Sequence, residues 1–151
     1  MEKYTLDELD YRILNLISND TRMSFLEVSR ICNISGASVH QRVQKMIANQ
    51  IITGSEFKLD LSRVGYGACA FLKLRCSGDI SEAAGRLKEI PEIVECHAAI
   101  GDYDLIVKIY AHDNAHLLDI VKQQIRPLGL HCTESLISCG ESFRRQMKFR
   151  E

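Results

Sequence analysis

Along residues 6–47 the apolar positions recur every three or four residues, the period of amphipathic helices. LDELDYRILNLI puts Leu6, Leu9, Ile13, Leu16 and Ile17 on one helical face, with Thr5 or Asp7 placed to cap its start. A second helix opens at Ser24, where Ser24 and Glu27 have the spacing of a capping box, and its buried face reads Phe25, Val28, Ile31 and Cys32. Asn33 and Ile34 make a short turn. A third helix then begins at Ser35, whose hydroxyl can satisfy free backbone N–H groups, and it turns Val39, Val43, Met46 and Ile47 inward. After Asn49 the pattern changes to short β-type runs, IITGSEFKLD, bent at Gly54. Three short helices and a small hairpin describe a winged helix-turn-helix domain over residues 1–59.

Residues 60–66, DLSRVGY, read as a linker. Beyond them GACAFLKLRCS is a strand, and Ser81 to Ile90 a helix with Ala83, Ala84 and Leu87 inward, stopped by Pro91. IVECHAAI and YDLIVKIYA are two strands separated only by a tight turn, so they pair antiparallel. A helix follows from Asn114 to about Ile125, with Leu117, Leu118, Val121 and Ile125 inward, and Pro127 and Gly129 end it. HCTESLISC is the last strand. The order over residues 67–140 is β-α-β-β-α-β, the ferredoxin-like arrangement, so the chain as a whole is α+β. Residues 141–151, which include FRRQMKFRE, read as a basic, mobile C-terminal tail.

Composition narrows the function classes. Net charge is −1, so no overall basic field draws the chain to nucleic acid, and any such contact needs a local patch. No apolar run approaches a membrane span, and the acidic, polar start MEKYTLDELD lacks the pattern of a secretory signal. The six cysteines contain no CxxC pair and sit among apolar residues, which reads as small buried thiols. His97 beside Cys96 and His131 beside Cys132 invite a zinc reading, but the expected sheet order puts their strands on opposite edges. No nucleophile–base pair or phosphate loop stands out, so neither an enzyme, a cofactor nor a bound metal is expected.

Turning the apolar side of the third helix inward leaves Ala37, Ser38, His40, Gln41, Arg42, Gln44 and Lys45 outward, following Ser35. No acidic residue occurs from Ser35 to Ser55, and the first residues are small enough for close backbone approach. Gln41 and Gln44 can pair with base edges, while Arg42 and Lys45 can reach phosphates or guanine in the major groove of duplex DNA. Residues 1–60 carry 7 Lys/Arg against 8 Asp/Glu, so one copy binds weakly and two copies on half-sites about 34–36 Å apart are expected.

The stretch LDELDYRILNLISNDTRMSFLEVSRICNISGASVHQRVQKMIANQIITG resembles the N-terminal signature of the Lrp/AsnC, or feast/famine, transcription regulators. GYGACAFLKL, the IPEIVECHAAIGDYDLIVKI block and the final strand are similar to the ligand-sensing (RAM) domain of that family. The resemblance covers nearly the whole chain. It implies a cytoplasmic DNA-binding regulator, homodimers built through the β-α-β-β-α-β domain and often assembled into octamers, and control by a small effector, usually an amino acid.

The resemblance also gives a place to GDYD. Gly101, Asp102, Tyr103 and Asp104 match the family's effector-pocket turn, where a glycine permits positive φ and lets backbone N–H groups meet a carboxylate. Asp104 or Asp102 would accept from an amino acid's ammonium, and Tyr103 would wall the site. Thr133 and Ser135, polar positions on one face of the last strand, are further candidates for reading the ligand. Asp and Gly are also ordinary turn residues, so an acidic solvated tip is the plainer alternative. For the whole protein the alternative is an architectural, nucleoid-associated DNA-binding protein that needs no ligand.

Overall fold

Asp7 opens the first helix. Its carboxylate accepts from the Asp10 backbone N–H, and Asp10 returns the bond to the Asp7 backbone, so Asp7 rather than Thr5 caps α1 (Glu8–Asn19). The computed structural model describes residues 4–150. Ser24 and Glu27 form the expected capping box at the start of α2 (Phe25–Cys32), and Asn33, at φ +55°, ends that helix in the left-handed region. Ser35 caps α3 (Gly36–Ala48) by accepting from the Ser38 N–H at 3.1 Å.

The three helices share a core of Ile13, Leu14, Val28, Cys32, Val39, Val43 and Met46. Three residues expected inside are not: Phe25, Ile31 and Ile47 are exposed. Helices of this length bury a narrow stripe, and these side chains lie at its margins. The expected hairpin is also absent. Residues Ile51–Asp60 contain no strand, because an isolated two-stranded ribbon lacks a partner sheet to hold it. The tail is not a loose appendage. Residues 4–58 and 143–150 form one compact unit, and Leu59–Ser142 form the other.

In the second unit residues 60–66 fold instead of linking. Asp60 caps a 3-10 turn (Leu61–Val64), Gly65 closes it at φ +96°, and Tyr66 stacks on His112 with ring centroids 4.6 Å apart. The strands are β1 (Ala68–Cys76), β2 (Ile93–Ala98), β3 (Leu105–Ala111) and β4 (Leu130–Ile137), all antiparallel in the order β2-β3-β1-β4. Helix α4 (Ile80–Leu87) joins β1 to β2; α5 (Asn114–Ile120), a π turn and a 3-10 turn join β3 to β4. This is the expected ferredoxin-like arrangement.

Alternate residues of the two central strands, Ala70, Leu72 and Leu74 of β1 with Leu105, Val107 and Ile109 of β3, meet Leu87, Leu117, Ile120 and Ile125 from the helical layer. Leu118, expected inward, is exposed. The cysteines need a similar correction: only Cys32 is buried, Cys69, Cys76 and Cys132 are half-buried, and Cys96 and Cys139 are exposed. Cys96 and Cys132 lie on edge strands, each paired with a neighbour on one side, and Cys139 follows the last strand. No helix among the described residues is long and apolar enough to cross a membrane.

Candidate nucleic-acid interface and effector surface

The outward side of α3 divides into groups that are engaged and groups that are not. Ala37, Gln41, Gln44 and Lys45 are exposed, and no side-chain hydrogen bond or ion pair to a described residue holds Gln41, Gln44 or Lys45. His40 is exposed with its ring edge-on to Phe25, centroids 5.9 Å apart. Ser38 is half-buried and Ser35 holds the helix start. Arg42 departs from expectation. Its guanidinium donates to Asp7 at 2.8 Å and to the buried Asp10 at 2.7 Å, so it ties α3 to α1 instead of facing outward freely. Tyr4 donates to the other oxygen of Asp10 at 3.0 Å. A depression floored by Asp7, Asp10 and Arg42 is rimmed by Ser38, Gln41 and Lys45. A sequence pattern sees only that Arg42 is a cation one position from the apolar face; the acid that claims it comes from another helix.

In the second unit the turn between β2 and β3 lies against the end of β1. Gly101 adopts φ +150°, and no atom outside its chain neighbours lies within 4 Å of where a Cβ would stand, so backbone conformation is what selects glycine there. Asp104 is half-buried and structural: its N–H donates to the Leu74 carbonyl at 2.9 Å and its carboxylate accepts from the Cys76 N–H at 2.7 Å. The Asp102 carbonyl accepts from the Arg75 guanidinium, while the Asp102 side chain is exposed. The ammonium of Lys73 stands 5.0 Å from the centre of the Tyr103 ring and 2.6 Å from Glu134.

Thr133 and Ser135 reach this neighbourhood by different routes. A register shift between Lys73 and Leu74 interrupts the β1–β4 ladder, and Thr133 donates its hydroxyl to the Lys73 carbonyl at 3.1 Å. Ser135 pairs opposite Leu72 and lies 3.3 Å from the Cys132 sulfur, so simple alternation does not put the two hydroxyls in one row. No motif in the sequence singles out Lys73, Arg75 or Glu134. The signal that could have found the two cations is their period-2 placement on the side of β1 opposite its buried leucines. The cluster is open: Gly101, Asp102, Thr133, Glu134 and Ser135 are all exposed on one chain. Strands β2 and β4 occupy opposite edges, which separates the Cys96–His97 pair from the His131–Cys132 pair. No group of three or more His, Cys, Asp or Glu among the described residues could hold a metal ion.

Comparison with known proteins decides the family. The family model for the Lrp/AsnC ligand binding domain matches residues 69–147, and that for the AsnC-type helix-turn-helix domain matches residues 6–47. The chain belongs to the Lrp/AsnC family. It is 28% identical over 148 residues to the regulatory protein AsnC of Haemophilus influenzae, covering 96% of this chain and 99% of the relative. The solved structure of Escherichia coli AsnC superposes with a TM-score of 0.85 at 25% identity, covering 96% of this chain and 99% of that one. A feast or famine regulatory protein from M. tuberculosis, solved in complex with L-methionine, shares the fold with a TM-score of 0.89 at 19% identity, covering 95% and 99%. This Lrp/AsnC chain is therefore a transcriptional regulator with a helix-turn-helix and a ligand-binding domain, not an enzyme.

Proposed function

We propose that this protein is a sequence-specific, DNA-binding transcriptional regulator acting in the cytoplasm, whose assembly or DNA affinity responds to an amino acid. The observation that carries the DNA half is α3: Gln41, Gln44 and Lys45 are exposed without a side-chain partner among the described residues, on a helix held at its start by Ser35 and at its middle by Arg42. Gln41 and Gln44 read base edges in the major groove, and Lys45 reaches a phosphate.

The effector half rests on the turn over β1. A zwitterionic amino acid needs a cationic and an anionic partner close together. Lys73 and Arg75 supply the first; Asp102 and Glu134 supply the second; the Gly101 backbone gives an approach for the carboxylate. Asp104 serves by shaping the turn, and Thr133, Ser135 and Tyr103 border it. The methionine bound to the M. tuberculosis protein supports an amino acid as the ligand class. A cluster this open on one chain is completed by another subunit, which couples occupancy to assembly and assembly to DNA binding.

Self-association uses the face of the sheet opposite the layer of α4 and α5. Phe71 and Leu136 are exposed there, across the sheet from the leucine core. Pairing two such faces gives a homodimer, and dimers then assemble into an octamer.

The test has two arms. Footprinting on candidate promoters against random duplex is expected to show selective protection, with Gln41→Ala relaxing preference and Lys45→Ala weakening binding to every sequence. Equal protection everywhere would favour an architectural protein. Thermal shift across the proteinogenic amino acids, with assembly size measured alongside, is expected to show stabilisation by a subset; no response to any would remove the effector half.

A further inference from the structure

The C-terminal tail is bound, at one residue, more firmly than a solvated arm requires. The Asn15 side-chain amide of α1 makes two hydrogen bonds to the backbone of a single residue: its Nδ2 donates to the Phe149 carbonyl at 3.0 Å, and the Phe149 N–H donates to its Oδ1 at 2.9 Å. The Phe149 ring, half-buried against the helical core, lies 6.0 Å from that of Tyr11. Lys148 and Arg150 flank this anchor, are exposed, and form no ion pair with a described residue. The tail's Gln146 and Met147 line one groove together with Val43 and Ile47 of α3.

Charge gives the arrangement a purpose. Residues 1–58 carry 7 Lys/Arg and 7 Asp/Glu, a neutral unit, and several of those cations are engaged: Arg42 with Asp7 and Asp10, Arg22 with Asp20, and Arg12 on the Ile31 carbonyl. Residues 143–151 bring 4 Lys/Arg and 1 Asp/Glu, which leaves the unit at +3. Arg144 is paired with Glu56 at 2.7 Å and Arg145 lies over the Phe143 ring, so Lys148 and Arg150 are the tail cations with no such partner among the described residues. A neutral helix-turn-helix lacks the sequence-independent attraction that gives most DNA-binding domains their affinity.

We propose that the tail from Phe143 to Arg150 is a phosphate-binding part of the DNA interface, held on α1 by Asn15 and Phe149 so that Lys148 and Arg150 meet the duplex backbone beside α3. This extends the reading of α3 given above and divides the work between two segments. Helix α3 selects the sequence, and the tail grips any sequence.

The experiment measures affinity of the full chain for a labelled mixed-sequence duplex over a series of salt concentrations. Lys148→Gln with Arg150→Gln is expected to flatten the plot of log affinity against log salt by about 0.9 for each phosphate that is no longer neutralised, roughly five- to tenfold in affinity per phosphate at 0.1 M salt. Asn15→Ala keeps every charge but releases the tail, and is expected to flatten the slope in the same way; Phe149→Ala does so independently if Asn15→Ala disturbs α1. The ratio of promoter to random-duplex affinity stays constant in all three. An unchanged slope in Lys148→Gln/Arg150→Gln overturns the proposal. A wild-type slope in both release variants overturns the docking that places the cations. A wild-type chain with no promoter preference would instead sink the role given to Gln41 and Gln44, while the tail's phosphate contacts would still be measurable.

Discussion

The carboxylate of Asp10, on a residue only 1% exposed, lies 2.7 Å from the guanidinium of Arg42. This contact joins the middle of α3 to the first turn of α1, and the cap residue Asp7 joins the same guanidinium at 2.8 Å. Removing the cation alone strands a carboxylate away from water, which costs more than the pair contributes. Arg42→Met is expected to destabilise the helical unit by about 3 kcal/mol, the low end for a broken buried pair because Arg42 keeps some solvent contact. Adding Asp10→Asn is expected to recover part of that loss, since no unpaired charge then remains buried. Urea unfolding of the wild type, both single variants and the double variant measures the coupling; strictly additive losses would show that the two groups do not depend on one another.

Acid reaches the same joint through Asp7. The Arg42 guanidinium, with the Asp10 N–H adding, holds the Asp7 carboxyl below the usual aspartate range. A lowered folded-state pKa means that the unfolded chain takes up the proton first as pH drops. The stabilisation is therefore complete above the ordinary value of about 3.9 and is lost as pH falls through the lower folded value. Thermal unfolding of the wild type is expected to weaken over that acid window more steeply than that of Asp7→Asn, which has no proton to gain. Parallel pH profiles would mean that the pair does not persist in solution.

How far the residues announced this structure can be traced through single positions. Ser24 with Glu27 and the capped start at Ser35 were legible because capping is local chemistry, decided within four residues. The strand order followed from the alternation of strand and helix patterns and from the tight β2–β3 connection. The engagement of Arg42 and the structural duty of Asp104 were not legible, since each depends on a partner far along the chain: Asp7 and Asp10 in one case, the Cys76 N–H in the other. The docking of Phe149 on Asn15 spans nearly the whole sequence, and no periodicity in FRRQMKFRE foretells it. The expected wing failed for the opposite reason. IITGSEFKLD has a local β pattern, but a ribbon of two short strands needs a third surface to stand.

The two aspartates of the β2–β3 turn are expected to separate on mutation. Asp104→Ala removes the acceptor of the Cys76 N–H, leaving a half-buried donor unpaired, and is expected to cost about 1–3 kcal/mol in the stability of the sensing unit. Asp102→Asn touches no such bond, because Asp102 meets Arg75 through its backbone carbonyl. It is expected to fold with wild-type stability and to weaken amino-acid binding by the worth of one charge-assisted bond, about 1.5–3 kcal/mol or roughly ten- to a hundredfold. Thermal unfolding and calorimetric titration, run on both variants, separate the roles. Equal ligand affinity in Asp102→Asn and wild type would move the ammonium site to Glu134.

Lys108 tests the sheet face opposite α4 and α5. It projects from the middle of β3 yet is only 8% exposed, with its ammonium 3.6 Å from Glu95, 3.9 Å from Glu141 and over the rings of Phe71 and Tyr110. Burial opposes the charge, but Tyr110 and Glu95 more than offset it and lift the amine above its usual range. In the dimer proposed above, this charge and its two carboxylates would be sealed from water together. Lys108→Glu would place three carboxylates in that seal, where like charges are strongly repulsive, so the variant is expected to remain folded as a monomer. Lys108→Met removes the cation but supplies an apolar chain of similar length, and the carboxylates of Glu95 and Glu141, each well exposed on a single chain, can turn outward. That variant is expected to stay dimeric. Sedimentation at matched concentrations distinguishes the cases: a Lys108→Glu chain that sediments as a dimer, with circular dichroism unchanged, would place the subunit contact on some other surface.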